Sequence, residues 1–338
     1  MSERVLEVEN LTVDIPLGSG VLHPVRGISF TVEKGETLCI VGESGCGKSL
    51  TSLALMGLLP KSAIRRADTL RFRGEDISDL PERKMARLRG GSMSMIFQEP
   101  MTSLNPAYTI GNQLTEVYRR HVSRDRRAAR ERAVYLLERV GITSAESRLG
   151  QYPHQLSGGL RQRVMIAMAL MCGPELIIAD EPTTALDVTI QAQILHVLAE
   201  LQDEFDMGLI LITHDLGIVA RIADKVQVMY AGRTVEEGPT EAVFDNPAHP
   251  YTQGLLRCIP VPGKTKRGER LGSVPGIVPN LVGTLEGCMF RNRCAFATAA
   301  CSAAPEHLSR GSDGHAHACI RSEAERADHA TAQTAAAE

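Results

Sequence analysis

The sequence predicts an α/β fold, because apolar strand-like runs alternate with charged helical stretches over most of its 338 residues. Three of the runs, TLCIVG, LIIAD and LILITHD, show no alternation of polar and apolar residues. Such runs are typical of strands that are buried on both faces of a parallel or mixed sheet. The hydrophobic content of 43% provides enough apolar material for a sizeable core.

The strand-like runs come one after another with helical sequence between them. In order they are VLEVENLTVDI, ISFTV, TLCIVG, SMSMIFQ, LIIAD, LILITHD and KVQVMYAG. Charged helical sequence interrupts this alternation from about residue 100 to 165, which predicts a helical subdomain. After EAVFDNPAHPYTQGLL, proline, glycine and cysteine replace regular periodicity. We therefore predict a first domain over 1–245, a small loop-rich, cysteine-containing extension over 246–325 and a disordered tail over 326–338.

Charge and hydropathy argue against nucleic-acid binding, a membrane-spanning helix and secretion. The net charge is −3 and the sequence has no long block of lysine or arginine, which argues against binding to nucleic acid. The longest apolar runs, such as VMIAMALM, fall far short of the roughly 20 residues that a membrane-spanning helix needs. The charged N-terminal sequence MSERVLEVEN lacks the apolar core of a secretory signal. We therefore expect a cytoplasmic protein.

The segment GESGCGKS lies between the apolar run TLCIV and a predicted helix, as a phosphate-binding P-loop does. Its glycines allow the backbone to wrap phosphates, Lys48 neutralises charge on the β- and γ-phosphates, and the Ser49 hydroxyl reaches Mg²⁺. A chance glycine turn before a helix is the alternative, and the flanking strand and helix argue against it. The predicted ATP-binding residues here are Gly42, Glu43, Ser44, Gly45, Cys46, Gly47, Lys48, Ser49 and Leu50.

Polar residues also follow three other predicted strands. In LIIADE, Asp180 would hold Mg²⁺, directly or through water, and Glu181 would orient and polarise the attacking water. His214 ends LILITH and could donate a hydrogen bond to the γ-phosphate, while Gln98 follows SMSMIF. Alone, two acids would indicate a solvated edge, and a histidine or glutamine would be an ordinary strand-end residue. The P-loop in the same chain favours the catalytic interpretation.

The segment HQLSGGLRQRV predicts a second anion site. Ser157, Gly158 and Gly159 lead directly into an amphipathic helix, so backbone N–H groups and the positive end of the helix dipole face one point. The P-loop already provides a phosphate site, so this segment has no obvious ligand within its own chain.

The P-loop, Gln98, LSGG, LIIADE, ALD at 185–187 and His214 occur in an order that resembles the ATP-binding subunit of ABC transporters, over roughly the first 245 residues. The resemblance implies that two such subunits pair head to tail. Ser157, Gly158 and Gly159 of one subunit then close on the ATP held by the P-loop of the other.

The same resemblance implies further roles. Gln98 would contact Mg²⁺ and, with the following EPMTSLNP, a cytoplasmic helix of a membrane permease, and Asp187 would communicate across the dimer interface. Two positions depart from the common pattern. Leu160 stands where glutamine is commonest, although the backbone donors of LSGG are unaffected. No aromatic residue that could stack on adenine precedes the P-loop, where only Ile15 or His23 is available.

The sequence from EAVFDNPAHPYTQGLL to GCMFRNRCAFATAACSAAPEHL resembles the C-terminal extension of oligopeptide, dipeptide and nickel importer ATPases, some of which bind a [4Fe–4S] cluster. Cys288, Cys294, Cys301 and Cys319 would be its ligands. Their C-x5-C-x6-C-x17-C spacing lacks the tight C-x2–4-C pair of structural zinc sites and therefore favours iron–sulfur. His315 and His317 could substitute for the fourth ligand. Four unconnected cysteines are the alternative.

These features predict the ATPase subunit of a binding-protein-dependent importer of di- or oligopeptides, with ATP and Mg²⁺ as cofactors and a peripheral position on the cytoplasmic face of the inner membrane. Its expected partners are a second ATPase subunit, identical or homologous, two permease subunits and, indirectly, an extracytoplasmic solute-binding protein. The alternatives are a nickel or other solute importer, a soluble ABC ATPase acting in DNA repair or on the ribosome, and an iron–sulfur redox protein that binds ATP.

Overall fold

The computed structural model describes residues 3–99, 103–184, 187–259, 274–303 and 307–322, apart from the side chains of 188 and 189. The predicted tail over 326–338 lies outside these residues. The strands are β1 (Arg4–Leu17), β2 (Gly20–Glu33), β3 (Thr37–Val41), β4 (Ile64–Arg66), β5 (Thr69–Phe72), β6 (Glu75–Asp76), β7 (Met93–Ile96), β8 (Leu176–Asp180), β9 (Gly208–Thr213), β10 (Lys225–Tyr230), β11 (Arg233–Pro239), β12 (Ser309–Arg310) and β13 (Ala316–His317).

Helices connect these strands. They are α1 (Lys48–Leu55), α2 (Glu82–Leu88), α3 (Ile110–His121), α4 (Arg126–Arg139), α5 (Ala145–Arg148), α6 (Gly158–Leu170), α7 (Val188–Phe205), α8 (Leu216–Ile222), α9 (Thr240–Asp245) and α10 (Pro250–Arg257), with single 3₁₀ turns at Pro153–Gln155 and Ala299–Ser302. Within the described residues, none of these helices is both long and apolar enough to cross a bilayer.

The main sheet has the order β12-β13-β11-β10-β3-β9-β8-β7, and its five strands from β10 to β7 are parallel. Every residue of β3, β8 and β9 is buried, which explains why their sequences lack polar alternation. The predicted α/β class is therefore confirmed. Because the carboxyl ends of parallel strands meet at one edge of the sheet, the residues that follow β3, β7, β8 and β9 are neighbours.

A second, antiparallel sheet has the order β2-β1-β5-β6, and β4 also pairs with β1. Its β1 and β2 are 14 residues each, longer than the runs VLEVENLTVDI and ISFTV indicate. Apolar side chains of this sheet, including Leu6, Val8 and Ile28, pack with Ile40 and Ile178 of the main sheet in one core. The two sheets thus enclose α1 and position the loop that precedes it.

Helices α3 to α6 occupy the chain between β7 and β8, within the range for which the sequence predicts a helical subdomain, and 100–102 lie outside the described residues. Thr109 caps α3 by accepting the N–H of Asn112. Asp125 caps α4 in the same way, because its side chain accepts the N–H groups of Arg127 and Ala128. Helix α6 continues to Leu170, beyond the predicted limit, because its buried face packs on the main core.

The residues after α9 pack against the main sheet. Strand β13 pairs with β11, with Glu236 opposite His317, and β12 extends the sheet further. Leu281 and Phe290 belong to the same hydrophobic core as Ile177 of β8. The predicted domain limits at 245 and 325 stay predictions.

Candidate ATP site

The P-loop connects β3 to α1, and two of its glycines meet the surrounding backbone closely. Gly42 has φ +153° and Gly47 has φ +104°. A Cβ atom on Gly47 would lie 2.1 Å from the carbonyl oxygen of Pro24, and one on Gly42 would lie 2.2 Å from that of Met229. Only glycine fits these positions, so the loop conformation depends on them. Within the loop, Ser44 and Gly45 are exposed and Cys46 is buried.

We expect Gly47→Ala to destabilise the protein more than Gly45→Ala. Both glycines have a positive φ, but a Cβ on Gly45 would meet no atom within 4 Å. The clash with Pro24 should add about 1–3 kcal/mol to the cost of the strained backbone, and chemical denaturation of the two variants measures the difference. Equal free energies of unfolding would show that this close approach does not constrain the loop.

The ammonium group of Lys48 lies inside the curve of the loop. Its Nζ donates to the carbonyl oxygens of Gly42, at 2.7 Å, and Glu43, at 3.0 Å. The residue is only 4% exposed. A buried cation held by loop carbonyls is suited to binding phosphate oxygens at the start of α1.

Ser49 and Asp180 come together, as a Mg²⁺ site requires. The Ser49 hydroxyl donates to Asp180 Oδ1 at 3.0 Å, and Ser52 donates to the other carboxylate oxygen at 3.4 Å. Burial raises the pKa of the Asp180 carboxyl, and the two hydroxyl bonds act in the opposite direction. Hydroxyl and carboxylate oxygens are the hard ligands that Mg²⁺ prefers, so these side chains fit the ion. Ser52 was not predicted from the sequence.

Glu181 receives contacts from the ends of two neighbouring strands. Its Oε2 accepts a hydrogen bond from Gln98 Nε2 at 3.1 Å and lies 3.6 Å from His214 Nδ1. Thr184, which sequence reasoning missed, also donates to Oε2, at 2.8 Å. Glu181 has φ +45°, an uncommon conformation for a residue other than glycine, and its N–H donates to Ile212 in β9. The structure thus brings Glu181, Gln98 and His214 together beside Asp180.

The predicted second anion site lies at the start of α6. Ser157 and Gly158 are exposed, and the Ser157 hydroxyl accepts the N–H of Leu160. The Leu160 side chain packs against the main core, which accommodates its departure from the commonest pattern. Asp187 is exposed at the start of α7, while Ala185 and Leu186 lie outside the described residues.

Both candidates for stacking on adenine have partners within the chain. His23 Nδ1 lies 2.7 Å from Asp14 Oδ1. Ile15 packs against the core between the two sheets. The adenine contact is therefore not identified.

All four cysteines of the C-terminal segment, Cys288, Cys294, Cys301 and Cys319, line one cavity of about 20 Å³. This volume has room for about one water molecule. Across the described residues, no three His, Cys, Asp or Glu side chains are arranged to hold a metal ion. His315, considered as a substitute ligand, instead lies 2.7 Å from Glu236 Oε1. In this arrangement the residues do not fit a [4Fe–4S] cluster or zinc, so the predicted cluster is not supported.

Comparison with known proteins agrees with this geometry. A family model described as "ABC transporter" matches residues 25–184. A second one, "Oligopeptide/dipeptide transporter, C-terminal region", matches residues 235–301. The dipeptide transport ATP-binding protein DppD of Bacillus subtilis is 48% identical over 97% of this chain and 97% of its own length. The chain belongs to the ABC transporter ATP-binding proteins.

Other ABC transporter proteins resemble this chain over most of their length. DppD of Escherichia coli is 49% identical over 93% of this chain and 96% of its own. The oligopeptide transport ATP-binding protein OppD of Haemophilus influenzae is 50% identical over 89% and 93%. Among solved structures, cbiO1 of Clostridium perfringens, part of an ABC transporter complex, has 29% identity and a TM-score of 0.60, covering 72% of this chain and 92% of its own. The ABC ATPase fold is confirmed.

Proposed function

We propose that this ABC ATPase hydrolyses ATP to power the import of di- or oligopeptides through a membrane permease. The observation that carries the ATPase part is the convergence of Ser49, Asp180 and Glu181 beside the P-loop. Peptide as cargo is supported by the C-terminal match and by the relatives named for dipeptide and oligopeptide transport. The same match favours peptide over nickel, and a soluble, non-transport ATPase has no comparable support.

Each polar residue has a role in hydrolysis. Lys48 and the loop N–H groups bind the β- and γ-phosphates. Ser49 and Asp180 would hold Mg²⁺, which neutralises phosphate charge when bound. Glu181 orients the attacking water and accepts its proton, and its hydrogen bond from Gln98 holds the carboxylate in place. His214, which is 65% exposed, can turn to donate to the γ-phosphate.

The exposed start of α6 supports a two-subunit arrangement. Ser157 and Gly158 are exposed, so a second subunit's ATP can reach this helix start and its backbone N–H groups. A head-to-tail dimer would place each LSGG segment on the other subunit's nucleotide, with exposed Asp187 near the interface. The second ATPase subunit is identical or homologous. The dimer would act at the cytoplasmic face of the membrane, bound to two permease subunits that receive peptide from a solute-binding protein.

No step of this mechanism passes through the four cysteines. Iron, sulfide and zinc analysis of protein purified without oxygen tests them directly. Iron and sulfide in equal, stoichiometric amounts would require the cysteines to move apart around a cluster. Protein without metal would support four unconnected cysteines, the alternative that the sequence also allowed.

We expect cells whose only copy of this subunit is wild type to take up labelled dipeptide, and cells with Glu181→Gln to lose uptake. Import requires repeated cycles of dimer closure, hydrolysis and reopening, and the variant should close on ATP without hydrolysing it. Cells with Glu175→Gln are the control, since Glu175 precedes β8 and pairs with Arg73 away from the site. Dipeptide uptake that is the same in all three strains would contradict dipeptide as cargo, and labelled longer peptides and nickel would then be measured in the same strains.

A further inference from the structure

An arginine of the C-terminal segment reaches the P-loop. Arg293 Nη1 lies 2.5 Å from Glu43 Oε2, and Nη2 lies 2.8 Å from Oε1, so the two side chains form two parallel hydrogen bonds. Only 3% of the Arg293 side chain is exposed. Paired bonds between guanidinium and carboxylate are strong and geometrically specific. Glu43 is the second residue of the P-loop, so this ion pair joins two segments 250 residues apart in sequence.

The Arg293 side chain is itself held rigidly. Its Nε donates to the carbonyl oxygen of Pro275 at 2.8 Å, and Nη2 donates to that of Val274 at 2.9 Å. The guanidinium lies 5.7 Å from the ring centroid of Tyr230 and 5.9 Å from that of Phe290. The Glu43 carboxylate raises the pKa of Arg293, so the arginine stays charged. These hydrogen bonds and ring contacts restrict the conformation of the Arg293 side chain.

The backbone of Glu43 is held from the same direction. Its N–H donates to the phenolic oxygen of Tyr251 at 2.8 Å. Tyr251 is fully buried, and its ring packs against Tyr230 at 4.7 Å and Phe290 at 5.4 Å between centroids. The positions of both the side chain and the backbone amide of Glu43 therefore depend on residues after position 245.

Glu43 belongs to the phosphate-binding loop itself. The carbonyl oxygens of Gly42 and Glu43 are the acceptors of Lys48 Nζ. A glycine-rich loop must lose conformational freedom when it closes on a ligand, and ordering it beforehand lowers that cost. Holding Glu43 in place therefore also holds the lysine that binds phosphate.

We propose that Arg293 is a positioning residue of the ATP site, through which the cysteine-containing segment keeps the P-loop in its phosphate-binding conformation. The proposal rests on the phosphate-binding role given to the P-loop above. A simpler role, anchoring the segment to the domain, would affect stability but leave nucleotide affinity unchanged. Affinity and stability must therefore be measured together.

The test uses the full chain, Mg²⁺ and the non-hydrolysable ATP analogue adenylyl imidodiphosphate, with affinity measured by calorimetry. We expect Arg293→Gln to weaken binding about tenfold, the usual size of such coupling. Arg293→Lys, which keeps the charge but not the paired geometry, should fall between it and wild type. Arg291→Gln is the matched control, because among the described residues the Arg291 guanidinium donates only to the nearby carbonyl oxygens of Glu286 and Cys288. Its affinity should stay within about twofold of wild type.

A double-mutant cycle tests whether Arg293 acts through Glu43. If Arg293 acts through Glu43, Arg293→Gln should have no further effect on affinity in a Glu43→Gln background. Additive losses would overturn the proposal, as would unchanged affinity in Arg293→Gln protein that has a lowered melting temperature. Equal weakening by Arg291→Gln would also overturn it. Wild-type protein that fails to bind the analogue would instead contradict the proposed function.

Discussion

Glu181→Gln is expected to lower steady-state ATP hydrolysis by about 100-fold or more, the usual contribution of a general base, while ATP still binds. The carboxylate lies beside Asp180 at the end of β8 and accepts bonds from Gln98 and Thr184. Glutamine has nearly the same shape, but it cannot accept a proton from water. The uncleaved ATP should then trap the closed dimer, which size-exclusion chromatography with Mg²⁺-ATP would detect, while phosphate release measures the rate.

Glu175→Gln is the matched control for this measurement, since it changes the same residue type next to the opposite end of β8. Its pairing partner is Arg73, and we expect hydrolysis within about twofold of wild type. Hydrolysis by Glu181→Gln at the wild-type rate would remove Glu181 from its assigned role. Loss of both hydrolysis and ATP binding would indicate that the substitution disturbs the loop rather than the chemistry.

Lys48→Ala is expected to weaken nucleotide binding by about 10- to 100-fold, because a hydrogen bond to a charged group contributes roughly 1.5–3 kcal/mol. The structure places the ammonium inside the P-loop with little exposure, and the loop sequence GESGCGKS contains no other cationic side chain. Titration with a fluorescent ATP analogue measures the dissociation constant directly. Hydrolysis should fall as a consequence of lost binding and recover partly at high ATP concentration.

Lys61→Ala provides the control for this second variant, because Lys61 is an exposed lysine in a turn after α1. Its nucleotide affinity should equal that of wild type. Unchanged affinity in Lys48→Ala would contradict the phosphate-binding role of the loop. It would also contradict the positioning role proposed for Arg293, because that role assumes that the P-loop binds phosphate.

The proposed catalytic set could be identified from sequence because each residue lies within two positions of the end of a strand. Parallel strands align their carboxyl ends, so Gln98, Glu181 and His214 had to be neighbours once β7, β8 and β9 lay side by side. The P-loop was equally visible, since its glycines and lysine act within a few residues of one another. Such local or strand-end signals need no knowledge of long-range packing.

The contacts of the C-terminal segment could not be predicted in this way. Arg293 and Glu43 are 250 residues apart, and no sequence motif relates one residue to the other. The cysteines illustrate the opposite error, because their spacing indicated a ligand set but the described structure gives them one small cavity without metal-binding geometry. Spacing along a chain constrains only which residues can meet, not how their side chains are directed.

The α/β class, the P-loop and the residues at the strand ends follow from the sequence alone, because periodicity and short motifs act over a few neighbouring residues. The contacts of Ser52 and Thr184 with the proposed site, and those of Tyr251 and Arg293 with Glu43, are visible only in the folded chain. Packing brought these side chains to the P-loop and to the end of β8. The energy of their contacts comes from burial and from paired charges, which form only when distant segments fold together.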